Sequence, residues 1–221
     1  MKTIRHLFVL VLAFWVVTPA IAASKVETPP PSPEDIAEAT LFVRDLADET
    51  IAALSDETLA EDMRREHFRA LIERGFASDY ISKVVVGRYW RKMTVEQRTD
   101  YLSLFHTFML DSLMSRLSVF NDEYLDILGH SSTKKGDIFI LSQIVTASES
   151  YNVDWRVRRM DGVYQIIDVR LEGISMVITN HEEVTSIAFT DGIEGLLQSL
   201  RDRTNTPLVP IVPIVNSDNL N

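Results

Sequence analysis

The chain has 221 residues, 46% of them hydrophobic and 24% charged, with a formal net charge of −10 and no cysteine. That is enough apolar residue for one ordinary domain with flanking segments. The acidity argues against nucleic-acid phosphates and against non-specific adhesion to anionic lipid surfaces, and the missing cysteines exclude a disulfide framework, a thiolate metal site, a cysteine nucleophile and a lipoprotein anchor.

Lys2 and Arg5 form a positive start, Leu7 to Val17 is an unbroken apolar run, and Pro19 precedes the small-x-small sequence Ala20-Ile21-Ala22. This is the three-part pattern of a secretory signal peptide, cleaved after Ala22 or Ala23, and the run is short for a membrane span. We assign residues 1–23 to the signal peptide. Without Lys2 and Arg5 the mature chain carries 20 basic and 32 acidic residues, or −12. No other segment suggests a membrane span. Residues 24–33 hold Pro29, Pro30, Pro31 and Pro33 and read as a linker.

Ser32, Pro33 and Asp35 carry the signals of a helix start, and Ile36, Ala39, Val43, Leu46, Thr50 and Leu54 follow at helical spacing. A second helix is expected over Thr58–Arg74 with Gly75 as its C-cap, and a third over Ser78–Val86, stopped near Gly87. Thr94 and Gln97 fit a capping box. The long helix they open, to about Phe120, has Tyr101, Phe105, Phe108, Met109, Leu113, Leu117 and Phe120 on one face.

The pattern then changes to strands at Tyr124–Leu128, Asp137–Ala147, Asn152–Met160 and Val163–Leu171, with Asp161-Gly162 as a hairpin turn. Val153, Trp155 and Val157 share one face of the third strand, and Ile167, Val169 and Leu171 one face of the fourth. Helices return over Thr179–Phe189 and Gly192–Arg203. Residues 204–221 form a proline-containing tail that cannot be a regular helix or central strand; loose packing is its default. The fold class is α+β: a curved four-stranded antiparallel meander packed with helices.

Sites for chemistry are sparse. His67, His106, His130 and His181 lie on separate elements without ligand spacing. There is no phosphate-binding glycine loop, and Gly173-Ile174-Ser175 is only half of a nucleophile elbow, so Ser175 reads as a turn or cap. Acidic clusters such as Asp45, Asp48 and Glu49 read as solvated helix faces. No catalytic residue, metal ligand or cofactor is assigned. Arg88, Arg91 and Lys92, interleaved with Tyr89 and Trp90, could grip a phosphate head group or an acidic partner, or could form surface salt bridges. Arg156, Arg158, Arg159 and Arg170 add basic charge on the meander.

At Val86-Gly87-Arg88-Tyr89-Trp90-Arg91, Val153-Asp154-Trp155-Arg156-Val157, Ile167-Asp168-Val169, Glu172-Gly173-Ile174-Ser175-Met176 and Asp191-Gly192-Ile193-Glu194-Gly195-Leu196-Leu197, and earlier at Phe42 to Ala47, the chain resembles the MlaC, or toluene-tolerance, family. The resemblance covers about residues 34–203, and the tail extends past the family's usual last helix. It implies a cone related to nuclear transport factor folds, with a helical subdomain (about 56–93) packed on a sheet (about 123–171) around a pocket for phospholipid acyl chains. It also implies a monomeric periplasmic carrier that takes no cofactor and catalyses no reaction. The carrier would pass lipid between an outer-membrane lipoprotein–porin complex and an inner-membrane ABC transporter with an MCE-domain subunit, maintaining outer-membrane lipid asymmetry. Phe105, Phe108, Met109, Trp155, Val157, Ile167, Val169 and Leu171 are the candidates to line the pocket. The same apolar faces would serve a closed core, and the sequence does not separate the two. A lipid-free adaptor and a small cone-fold enzyme are the competing readings.

Overall fold

A computed structural model of the chain describes residues 29–56, 58–117, 124–146 and 149–204, with the side chains of 115–117 left out. The signal peptide, most of the linker, the end of the long helix and the tail lie outside the described residues. Six α-helices and a five-stranded sheet are present among them.

Helix α1 (Pro33–Ser55) starts at a reciprocal cap: the Asp35 amide donates to Ser32 Oγ, and the Ser32 amide donates to the Asp35 carboxylate at 2.9 Å. Two donors that no helical turn can satisfy are thereby paired. Ala39, Val43 and Leu46 form its buried stripe. Helix α2 (Glu61–Gly75) ends one residue later than expected, and its cap is Phe76 in extended conformation rather than Gly75. Gly75 serves close packing instead: a Cβ there would stand 2.4 Å from Leu46 Cδ2 of α1. Helix α3 (Ser78–Val86) stops at Gly87, whose φ of 56° is favourable only for glycine. A 3₁₀ turn (Gly87–Lys92) leads to α4 (Val95–Leu117), opened by the Thr94–Gln97 box.

The strands β1 (Tyr124–Ser132), β2 (Ile138–Val145), β3 (Ser150–Met160), β4 (Val163–Leu171) and the two-residue β5 (Ile174–Ser175) pair consecutively and antiparallel. The meander thus has one strand more than expected, and β1 runs four residues further. Asp161 and Gly162 both have positive φ, 51° and 87°, as the twist of a tight two-residue hairpin requires. Helices α5 (Met176–Thr190) and α6 (Gly192–Thr204) complete the chain.

Two ends of the sheet differ. At the β3–β4 hairpin end, Ile138, Val157 and Ile166 lie side by side and are buried to 2%, 0% and 0% exposure. The start of α1 is tied to this end, where Tyr164 Oη donates to the Asp35 carbonyl at 3.0 Å and Arg159 pairs with Glu38. From there α1 carries Thr50, Ile51 and Leu54 towards the opposite end, where Tyr124 opposes Val145 and Val145 opposes Ser150. At that end Tyr124 is an exposed large hydrophobic side chain among the described residues.

Candidate functional site: an apolar cavity between sheet and helices

A cavity of about 510 Å³ lies between the concave sheet face and the helices. Helix α1 contributes Val43, Leu46, Thr50, Ile51 and Leu54, and α4 contributes Phe105, Phe108, Met109, Ser112 and Leu113. From the sheet come Tyr124, Leu125, Ile144, Tyr151, Val153, Trp155, Val169 and Leu171. Ile81 and Val85 of α3 and Met176, Val177 and Asn180 of α5 close the side. Tyr124 is 59% exposed although it stands on the wall, which puts the opening at the sheet end away from the β3–β4 hairpin. The volume is that of a small-molecule pocket, and the wall is apolar in the way such sites require.

Phe105, Phe108, Met109, Trp155, Val169 and Leu171 all stand on this wall. Val157 and Ile167 do not, and each departs for its own reason. Val157 is on the correct face but belongs to the closed end, packed opposite Ile166. Ile167 is displaced by a bulge: Arg156 opposes Asp168 and the next residue, Val157, opposes Ile166, so β4 carries an extra residue at this point. The two-residue alternation that placed Ile167 with Val169 is interrupted there. Strict periodicity also missed Ile166, which takes the core position. The α1 contribution was visible as an apolar stripe, and Thr50 and Leu54 belong to it. The α5 contribution had no local signal.

Several polar groups at the wall are engaged in structure. Asp168, 5% exposed, accepts from Ser175 Oγ at 2.7 Å and from the Val177 amide at 3.1 Å. Ser175 Oγ in turn accepts from the Ile178 amide, capping α5. The Asp168 carboxylate therefore sits at a helix N-terminus, where the peptide dipoles favour negative charge without a cationic side chain. Asn180 Nδ2 donates to the Met176 carbonyl, and Trp155 Nε1 donates to Ser142 Oγ. Among the described residues no group of three or more His, Cys, Asp or Glu could hold a metal ion.

The basic residues fall into two sets. Arg156 and Arg158 both donate to Asp137, whose side chain is fully buried. Burial alone would raise the Asp137 carboxyl, but the hydrogen bonds from Arg158 and Arg156 outweigh it and hold the group below the usual carboxylate range. Arg170 lies 4.2 Å from the Phe139 ring centroid. These meander arginines are structural. Arg88, Arg91 and Lys92 are exposed on the 3₁₀ turn. The Arg88 guanidinium and Lys92 Nζ each lie 5.1 Å from the ring centroid of buried Tyr89, and none of the three has a carboxylate within ion-pair distance among the described residues. None of them lies on the cavity wall.

The described residues thus form an α+β domain in which helices pack on an antiparallel meander around an apolar cavity. The model of the MlaC protein family matches residues 44–202, and the chain belongs to that family. Its fold is similar to that of a phospholipid-binding protein from Ralstonia solanacearum, solved in complex with a phospholipid. That similarity has a TM-score of 0.67 at 17% identity, over 76% of this chain and 97% of the other. Among the described residues no helix is long and apolar enough to cross a membrane.

Proposed function

We infer that the protein is a phospholipid carrier of the bacterial periplasm. It takes acyl chains into the cavity and passes lipid between an outer-membrane lipoprotein–porin complex and an inner-membrane ABC transporter with an MCE-domain subunit. The observation that carries this reading is the apolar cavity, open at one end, lined from α1, α4 and the sheet by aliphatic and aromatic side chains. Burying acyl chains contributes about 0.8 kcal/mol per methylene, so a dry wall of this kind supplies the binding energy. The structure of the Ralstonia relative with its phospholipid supports the ligand class. Membership of the family supports a binding and transport role rather than catalysis. The wall's polar groups support the same view, since Asp168, Ser175 and Asn180 are committed to building the start of α5.

The patch of Arg88, Arg91 and Lys92 is the surface we assign to a partner. It stands off the cavity wall, which favours a protein's acidic patch over the lipid head group, and its charges are free of carboxylate partners among the described residues. Export by the signal peptide in residues 1–23 delivers the protein to the compartment where both membranes are accessible.

Native mass spectrometry of residues 23–221, purified from a bacterial periplasm without detergent, tests the reading. The expected result is a mass excess of one phospholipid that is removed by organic extraction. A bare mass with no uptake from liposomes overturns it and favours an adaptor.

A further inference from the structure

We propose that Phe189 and Val95 form, with Arg88, Arg91 and Lys92, a docking surface for a partner protein that presents an apolar pocket edged by carboxylates. The inference rests on reading the basic turn as a partner surface, and it supplies the apolar centre that such a surface needs. Phe189 near the end of α5 and Val95 at the start of α4 are the most exposed large hydrophobic side chains among the described residues, at 77% and 71%. Neither stands on the cavity wall. Helix α5 buries Val184 and Ala188, and the residue after Ala188 points about 100° away from that face. Val95 is the first residue of α4, where no earlier turn of the helix covers it.

Four elements bring these residues to one end of the helical layer. The 3₁₀ turn packs on α5, where His181 Nδ1 lies 2.8 Å from the Val85 carbonyl and a Cβ at Gly87 would meet His181 Cε1 at 2.9 Å. The turn then runs through Met93 and Thr94 into Val95. At the far end of α5 the Asp191 amide donates to the Ile187 carbonyl, and Gly192, with a φ of 73°, sends the chain directly into α6. Gln97 Nε2 of α4 donates to Glu194 of α6 at 2.7 Å, which holds the starts of these two helices together. Val95 stands two residues before that contact in α4, and Phe189 five residues before it on the other chain segment.

Five cations gather on this turn, in a chain of net charge −10. Arg88 and Lys92 lie over Tyr89, Lys83 and Arg98 lie 5.5 and 5.3 Å from the Trp90 ring centroid, and Arg91 is exposed. Of these, only Lys83 has a carboxylate within ion-pair distance among the described residues, Asp79 at 3.8 Å. A single exposed apolar side chain needs no partner, but two beside a strip of unpaired cations have the make-up of an interface. The aromatic and aliphatic centre supplies residence time, and the charged rim steers encounter. An acidic protein repels other polyanions except at such a strip, so the strip selects a partner by its carboxylates. Anionic lipid offers charge but no fixed pocket for Phe189, and the overall acidity opposes it.

Surface plasmon resonance of the mature full-length protein tests this, with the MCE-domain subunit and the lipoprotein–porin complex as the two probes. Phe189→Ser with Val95→Ser is expected to speed dissociation from at least one of them about tenfold, with association within about twofold of wild type. Phe189→Leu alone should stay within about threefold, since it keeps an apolar anchor. Tm and lipid uptake from vesicles should not change, because both side chains are exposed and off the cavity wall. Unaltered dissociation from both probes overturns the inference; if Arg88→Glu with Arg91→Glu still slows association, the basic patch stands without it. Wild-type protein that takes up lipid and binds neither probe overturns the inference and the partner assignment together. A Tm lowered by more than about 4 °C also overturns it, since the chain itself would then cover these side chains. So does a dimer in sedimentation velocity, or flotation with phosphatidylglycerol vesicles, that the double variant abolishes, since the surface would then meet a second copy or a lipid surface.

Discussion

Ser175 Oγ donates a 2.7 Å hydrogen bond to Asp168, joining the last full strand to the first turn of α5 at the cavity wall. The carboxylate also accepts from the Val177 amide, so two groups of the helix start converge on one buried carboxylate that has no ion-pair partner among the described residues, while the Ile178 amide donates to Ser175 Oγ. Asp168→Asn keeps an acceptor for Val177 but sets a donor against Ser175 and removes the charge from the helix dipole. Loss of about 1–2 kcal/mol is expected, seen by circular dichroism as a Tm lowered by roughly 2–8 °C. An unchanged Tm would show that Ser175 caps α5 unaided.

Asp137 predicts a pH dependence. Its carboxyl is held below the usual range in the fold, so it contributes stability that is present above the unfolded value, near 3.8, and is lost as pH falls through the folded value. Asp137→Asn strands Arg156 and Arg158 and should cost about 3 kcal/mol at neutral pH. The gap in urea stability between the two proteins should narrow as the pH drops below about 4. A gap constant down to pH 2 would contradict the ion-pair account.

Wall and closed end should separate in function. Met109→Glu puts a charge on the half-buried wall of α4, where an acyl chain would lose several methylene contacts. Bound lipid should fall by about tenfold or more, at 0.8 kcal/mol per methylene, with far-ultraviolet circular dichroism unchanged. Val157→Ala, fully buried at the other end, should destabilise by about 2 kcal/mol. Its lipid content should stay at the wild-type level. The reverse pattern would mean that the cavity is a packing defect and not the lipid site.

Arg88→Glu with Arg91→Glu reverses two exposed charges that hold no carboxylate among the described residues, so the Tm should move by less than about 2 °C. Association with the MCE-domain subunit or with the lipoprotein–porin complex, followed by surface plasmon resonance, should slow by about tenfold at low salt and less at high salt. Unaltered affinity for both would remove the patch from the recognition surface.

Much of the architecture is local and therefore legible in the chain. Ser32–Asp35 and Thr94–Gln97 announce helix starts because their side chains complete backbone hydrogen bonds within three residues. Asp161-Gly162 announces the hairpin because both positions need positive φ. The apolar stripes of α1 and α4 and the alternation of β3 follow from burying one face of each element. What the sequence could not decide is which end of those faces stays open. Val157 and Trp155 are indistinguishable by spacing, yet one is sealed against Ile138 and Ile166 while the other looks into the cavity. The bulge at Ile167 depends on the fit of β4 to β3 and leaves no periodic trace of its own. Likewise, only the assembled fold separates the arginines that neutralise Asp137 from those left facing solvent. Backbone hydrogen bonding and face burial are set by near neighbours in the chain; a cavity is the space that distant elements fail to fill, and only their packing defines it.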